Sequence, residues 1–258
     1  MRLISCAAND AVTEARPSAA TMRIKNPAMT DVLARQAVYE NLLPLTGAQV
    51  LELGCGAAEL TREIATSAPR VSITALEVDR IQHHKNLTIR DLPNVAFRLG
   101  GAEAIPAPAS SFDIVLMFHS LHHVAVENMN HALLEIRRVL KPGGLAYFEE
   151  PVFDGEYSEL TRIFNDEQAV REAAFLTLER AVASGLMELV AEKFFLTPRR
   201  FADWAQFERS VREKTYAEHR LTDAQWEAVK TRFMRSMTPE GVLFMRPLRV
   251  DLLRSPVK

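Results

Sequence analysis

The sequence predicts a three-layer α/β protein built on a seven-stranded, mostly parallel sheet. Two observations carry that expectation. Short apolar runs at Gln49–Leu53, residues 71–76, Val95–Leu99, Phe112–Phe118 and residues 145–148 are separated by stretches with helical spacing. Strands that alternate with helices assemble into a parallel sheet covered on both faces. The first run also ends in Gly54-Cys55-Gly56, with Leu60, Ile64 and Ala68 following at helical spacing. Glycine lets the chain turn sharply and lets a ligand approach the main chain. The helix start beyond it offers unpaired amide donors and a positive dipole end. This is a ligand-binding turn at the carboxyl end of a first strand.

The elements follow in order. Residues 1–22 are rich in Ala, Ser, Thr, Asn and Asp and read as a flexible tail. A helix is expected over 30–43, stopped by Pro44 and Gly47. The second strand ends at Glu77, and a helix is expected over 80–90. From 124 to 140, Met129, Leu133, Ile136 and Leu140 mark one helix face. Lys141-Pro142-Gly143-Gly144 then ends it, because lysine suits the negative helix end and proline cannot continue it.

After Pro151 the alternation breaks. Residues 157–185 read as one helix, and Phe194, Phe195, Phe201 and Trp204 fall in a loop-rich stretch. Residues 151–206 are therefore a candidate helical substrate cap, with those aromatics either walling an apolar pocket or gluing a helical layer to the sheet. A strand is expected over 207–215. Thr222 and Gln225 form a capping box for a helix carrying Trp226, Val229 and Phe233. A final strand spans 241–252, where Pro247 calls for a bulge or an edge position. Residues 23–258 form a single domain in this reading.

Composition narrows the function classes. The 258 residues are 48% hydrophobic and 25% charged, with Lys+Arg 31 against Asp+Glu 33 and a formal net charge of -2. A near-neutral chain without a long basic run gives no electrostatic case for nucleic acid. No apolar run reaches the roughly 18 residues of a membrane span. The two cysteines, Cys6 and Cys55, make no disulfide framework and fit the reducing cytoplasm. Leu3-Ile4-Ser5-Cys6 has the look of a lipidation box, but only Met1 and Arg2 precede it, so no lipid anchor is expected.

The glycine turn alone leaves the ligand open. A dinucleotide fingerprint needs glycine or alanine where Glu59 stands, and an acid is ill placed beside a pyrophosphate. Further pieces recur in order. They are Leu51-Glu52-Leu53-Gly54-Cys55-Gly56, Glu77, Ala102-Glu103-Ala104-Ile105-Pro106, Ser111-Phe112-Asp113-Ile114-Val115, Ser120-Leu121-His122-His123-Val124 and Leu140-Lys141-Pro142-Gly143-Gly144. Together they span about residues 48–150 and resemble the class I S-adenosylmethionine-dependent methyltransferases, type 11 branch.

The resemblance implies a Rossmann-like sheet whose last strand is antiparallel, with a helical insertion after strand five. S-adenosylmethionine is the implied cofactor. The cofactor contacts it implies are Glu52, Gly54, Cys55, Gly56, Glu77, Val78, Ala102, Glu103 and His119. Glu77 would take the ribose hydroxyls, with Asp79 as rival. Two positions depart from the family pattern. Ala58 replaces a third glycine, and Gly101 replaces an aspartate that would reach the adenine amino group, leaving backbone groups or Glu103 to do so.

Methyl transfer needs mainly the alignment of nucleophile and methyl group, so no universal catalytic residue can be read from sequence. His122, His123 and Glu149 are the candidates for a general base, since all border the crevice at the strand ends. Glu149 is also a candidate binder of a cationic acceptor. Packing or capping is the plainer reading of each histidine. His119, His122, His123, His83 and His84 are not expected to hold a metal, because neighbouring histidines seldom present a closed tetrahedral set. The expected function is methyl transfer to a small-molecule O, N or C acceptor, without nucleic acid or membrane partners. The rivals are a tRNA or protein side chain as acceptor, and a non-catalytic binding module.

Overall fold

The computed structural model describes residues 22–212 and 221–257. Seven strands form one sheet in the order β3-β2-β1-β4-β5-β7-β6. They are β1 Gln49–Leu53, β2 Ser72–Glu77, β3 Val95–Leu99, β4 Phe112–Phe118, β5 Leu140–Pro151, β6 Glu188–Phe201 and β7 Val242–Arg254. β1 to β5 pair in parallel, and β7 runs antiparallel to both β5 and β6. The strand order reverses between β1 and β4, which opens the crevice where open α/β sheets bind ligands.

The helices are α1 Arg35–Leu42, α2 Glu59–Ser67, α3 Arg80–Asn86, α4 Val126–Val139, α5 Gly155–Thr161, α6 Gln168–Ala183, α7 Trp204–Arg212 and α8 Asp223–Arg235. One apolar cluster joins α4 and α6 to the sheet face bearing Val115, Met117 and Phe148. Another joins α1 and α2 to the opposite face, bearing Val50, Ile114, Tyr147 and Val250. A third packs α5, α7 and α8 on Phe201, Val242 and Phe244. Helices that bury one stripe and strands that alternate faces give this layering.

The β6–β7 pair is longer than its neighbours. β5 ends with Pro151 opposite Leu248, whereas β6 and β7 continue to Phe201 opposite Val242. The pair therefore stands about 20 Å beyond the end of β5, at 3.3 Å per residue. The expected proline device is met in a different way. β7 is an interior strand, but at Pro247 it has outrun β5 and pairs only with Leu196. Its carbonyl, which accepts from Val152 N at 3.0 Å, points to the β5 side, so the missing N–H falls where no strand stands.

Several expected elements change. The helix expected over 30–43 begins only at Arg35, because residues 31–33 lie along the outer edge of β6. Leu33 N donates to Leu196 O at 3.1 Å and Leu196 N to Asp31 O at 2.7 Å. The helix expected over 157–185 divides into α5 and α6. The loop-rich stretch holding Phe194, Phe195 and Phe201 is strand β6, and the strand expected from 207 is helix α7, with 213–215 outside the described residues. Propensity was overridden by packing: Phe207 and Val211, four apart, bury one face of α7 in the third cluster. The tail expectation covers residues 1–21, outside the described residues, and Met22, which is buried against the α4–α6 side.

Candidate active site

The turn after β1 is built by its neighbours. Gly54 N and Cys55 N both donate to Leu76 O of β2, at 2.9 and 3.0 Å. Gly54 has φ +75, and a Cβ there would lie 2.8 Å from Ser120 Cβ. Ser120, at the end of β4, donates its hydroxyl to Leu53 O at 2.8 Å, which closes the two strand ends together. Only glycine satisfies both the dihedral and the contact. Above Gly56 the space is open, since a Cβ there would meet nothing within 4 Å.

Glu77 ends β2 beside this opening. Its Oε2 accepts from Gly56 N at 2.7 Å and its Oε1 from Asp79 N at 2.9 Å. The carboxylate is thus fixed at the lip of the turn with lone pairs to spare. Asp79 instead caps α3 by accepting from Ile81 N at 2.8 Å. Asn86 holds the far side of the turn through a 2.8 Å bond to Gly56 O. Val78 is exposed and Ala102 is buried. Cys55 is buried, and burial pushes its thiol well above the ordinary range. Glu59, in the first turn of α2, is exposed.

Glu52 is buried two residues before Gly54. Thr61 Oγ1 donates to its carboxylate at 2.6 Å, and burial raises it to about 7 against the pull of Thr61 and Arg35. Glu103 folds back over Gly101, so that a Cβ on residue 101 would lie 2.6 Å from its Oε2. Glu103 therefore carries its carboxylate into the space that a side chain at 101 would fill.

The ends of β4 and β5 carry two acid–histidine pairs on opposite faces. On one face, Glu149 is fully buried and accepts from Arg35 Nε at 2.6 Å, while His119 Nε2 lies 3.1 Å from the same oxygen without hydrogen-bond alignment. Burial alone would raise the Glu149 carboxyl, but His119 and the Arg35 guanidinium hold it below the usual carboxylate range. Burial draws His119 below its ordinary value despite Glu149, which leaves Arg35 as the resident cation. His119 has φ +53, an uncommon conformation for a non-glycine residue, and its N–H donates to Glu149 O at 2.7 Å.

On the other face, Glu150 binds His122 Nδ1 and accepts from Leu121 N at 2.9 Å. Burial would raise Glu150, and the His122 charge and hydrogen bond bring it down to about 2. His122 is buried, and its Nε2 faces Glu167 at 3.9 Å. His123 is exposed and packs against His122 with ring centroids 4.1 Å apart and planes tilted by 41°. One nitrogen or oxygen from each of His122, His123 and Glu167 lies within 4.8 Å of the others. Arg171 and Asn165 already bind the Glu167 carboxylate, at 2.5 and 2.7 Å, and a guanidinium there opposes a metal ion.

The four aromatics of the candidate cap do not share one wall. Phe195 is buried with the α1–α2 side of the sheet, Phe194 stacks under Arg23 at 5.3 Å, and Phe201 and Trp204 belong to the third cluster. Sequence reasoning placed Glu149 and Glu150 together at the end of the fifth strand, with one of the two facing the crevice, and missed Arg35, Ser120 and Asn86. Ser120 stood inside a quoted motif, whereas nothing local marked Arg35, which reaches Glu149 from 114 residues away.

A sequence model of the methyltransferase domain matches residues 50–144, the stretch that runs from β1 into the first residues of β5. Residues 50–144 are a class I S-adenosylmethionine-dependent methyltransferase domain. Its cofactor is S-adenosylmethionine. The chain is 32% identical over 130 residues to 27-O-demethylrifamycin SV methyltransferase of Amycolatopsis mediterranei, covering 48% of this chain and 44% of that protein. It is 32% identical over 116 residues to demethylmenaquinone methyltransferase of Tropheryma whipplei, covering 45% and 47%. The chain thus spans less than half the length of these curated relatives. Among solved structures, the YcgJ protein of Bacillus subtilis superposes with a TM-score of 0.62 at 15% identity, over 86% of this chain and 98% of that one. That likeness concerns the fold. No helix among the described residues is long and apolar enough to cross a membrane.

Proposed function

We propose that this protein transfers the methyl group of S-adenosylmethionine to a small-molecule acceptor in the cytoplasm. The observation that carries the reading is the open turn at Gly56, with the Glu77 carboxylate fixed beside it. The cofactor supplies an activated methyl group. Gly54, Cys55 and Gly56 would receive it through their main chain, Glu77 would accept its ribose hydroxyls, and Val78 and Ala102 would flank its base. Glu103 would take the adenine amino group in place of the aspartate absent at 101. Glu52 supports the turn from below through Thr61. The names of two relatives give small organic acceptors, and the net charge of -2 argues against a polynucleotide.

The base is assigned to His119 rather than to His122. Glu149 Oε1 lies 3.1 Å from His119 Nε2 without hydrogen-bond alignment and favours the proton on that nitrogen; Nδ1 then keeps a lone pair, and burial lowers the ring's pKa so that it is unprotonated near neutrality. Both nitrogens of His122 face carboxylates, so His122 positions the loop through Glu150. His123 stands at the exposed rim as a second acceptor contact. Glu149 is already matched by Arg35, which argues against a cationic acceptor.

Calorimetry tests the first part: S-adenosylmethionine and S-adenosylhomocysteine bind, and NAD binds more weakly. Labelled cofactor with fractionated small-molecule and macromolecular pools tests the second, with label expected in the small-molecule pool. With the acceptor in hand, His119→Ala lowers the single-turnover rate by about 10²–10⁴-fold, the usual worth of a general base. His122→Ala, His123→Ala and Glu149→Gln lower it less. Label in tRNA or protein refutes the small-molecule reading, and an unchanged His119→Ala rate refutes the base.

A further inference from the structure

Beyond the end of β5, the β6–β7 pair presents one face with an interrupted apolar pattern. Cross-strand partners share a face, and alternate residues return to it. On this face Val250 and Leu248 with Phe195 join the α1–α2 cluster, while Val242 and Phe244 with Phe201 join the third cluster. Between them the ladder carries Arg246 opposite Thr197, and Arg199 one step further along β6. Glu149, opposite Val250, lies on the same face. A polar belt with two arginines therefore separates two apolar clusters, at the height where β5 ends and the crevice begins.

Among the described residues these arginines have aromatic neighbours but no hydrogen-bond or ion-pair partner. Both are only partly exposed, and the Nε of each is buried without a hydrogen-bond partner. Among the described residues no carboxylate forms an ion pair with either guanidinium. Arg246 lies 5.9 Å from the Tyr157 ring and Arg199 5.1 Å from the Phe201 ring. Burial draws the Arg246 guanidinium below its ordinary value; Tyr157 and Glu149 oppose this, and Arg199 and Arg35 add to it. Arg35 and Glu149 neutralise each other, so the belt keeps two uncompensated positive charges. Placing such charges in a half-buried position is costly unless an anion shares it. The guanidinium fork fits carboxylate or phosphate oxygens in pairs.

We infer that the belt of Arg246 and Arg199 holds a carboxylate or phosphate group of the methyl acceptor, so that the substrate is a small organic anion. This rests on the proposed methyl-transfer reading and adds the acceptor's charge and its point of attachment. The aromatic rings of Tyr157 and Phe201 border the same belt and favour an apolar body next to the anionic group.

Calorimetry on the full chain saturated with S-adenosylhomocysteine, at fixed ionic strength, tests the belt with benzoate, phenyl phosphate and neutral benzamide. At least one anion is expected to bind ten-fold or more tightly than benzamide, and the tighter of the two names the oxyanion. Arg246→Gln and Arg199→Gln each lower that affinity ten-fold or more, and Arg246→Lys recovers part of it by restoring charge without the fork. Arg200→Gln, exposed on the other face of β6, leaves it unchanged. Equal binding of benzamide and both anions overturns the inference, as does unchanged anion affinity in both glutamine variants. S-adenosylhomocysteine affinity is read in every variant as the check on folding. If the wild type does not bind it, the methyl-transfer reading falls and the belt's role falls with it. If every variant binds it normally while no anion binds, only the belt falls.

Discussion

Strands β1 and β3 have five residues each and β2 has six, whereas β5, β7 and β6 have twelve, thirteen and fourteen. The short strands stop where the cofactor turn begins, and their loops supply the main-chain donors and the Glu77 carboxylate. The long strands overshoot that level and need an additional apolar cluster to cover their projecting part. The first region lies within a match to a known domain over residues 50–144, and the second lies outside it apart from residues 140–144 of β5. The comparison teaches that the turn beside Gly56 is held by main-chain geometry, while the overhanging half is held by side-chain packing; under the proposed function the first receives the cofactor and the second the acceptor.

The comparison breaks most readily at the third cluster. Phe233 is fully buried there against Phe207, with ring centroids 5.1 Å apart. Phe233→Ala is expected to cost about 3–5 kcal/mol, the usual loss for a buried phenylalanine. Chemical denaturation reads that loss, and S-adenosylhomocysteine affinity at low temperature stays near wild type. An equal loss of cofactor affinity would show that the two halves are not separable. Trp204, which packs at 5.6 Å on Phe233, follows the same rule, so its replacement acts through stability.

Glu77→Ala sharpens the other side. It removes the acceptor of both Gly56 N and Asp79 N. Cofactor affinity falls by about 1–3 kcal/mol, the scale for losing charged hydrogen bonds, while anion binding at the arginine belt persists. Unchanged calorimetric affinity would move the ribose role to Asp79.

A pH test separates the core of the first half from its site. Burial raises Glu52 from 4.5 to about 7, so the folded state binds the proton more tightly than the unfolded chain. Stability from this group is full below about pH 4.5 and is lost as pH rises toward 7. Glu52→Gln keeps an acceptor for Thr61 and removes that dependence. Its melting temperature relative to wild type therefore rises between those values, by an equivalent of about 1–3 kcal/mol at pH 8. A parallel pair of melting curves would contradict the assignment. The smallest effect falls at Ala58, whose φ is +61 at the start of α2. Ala58→Gly relieves that strain and raises the melting temperature by under about 1 kcal/mol equivalent. A drop would mean that the buried methyl contributes more than the strain costs.

The parallel half was legible because each strand end coincides with a local signal: two glycines, an acid, or a proline–glycine stop. The second half was not, because its strands take their faces from partners distant in sequence. Phe195 read as a loop aromatic, and Leu248 as part of a final strand without a partner in that stretch, until the ladder sets them opposite each other. The period-2 pattern Val242, Phe244, Arg246, Leu248 did hold the belt in plain view, as one cation in an apolar series. It lacked meaning until pairing showed which face it lay on. The histidine run was legible in place but not in role, since His119 and His122 turn to opposite faces and different acids.

The position of β7 bears on synthesis. It is the last strand in chain order, yet it lies between β5 and β6. Until the ribosome has released residues 242–254, β5 ends the sheet as an open edge and β6 has no neighbour on its inner side. Unpaired edges of that kind invite pairing with other chains. The segment around Val32, already synthesised, pairs along the outer side of β6 at Leu196. It blunts one of the three exposed edges before the strand that closes the other two arrives.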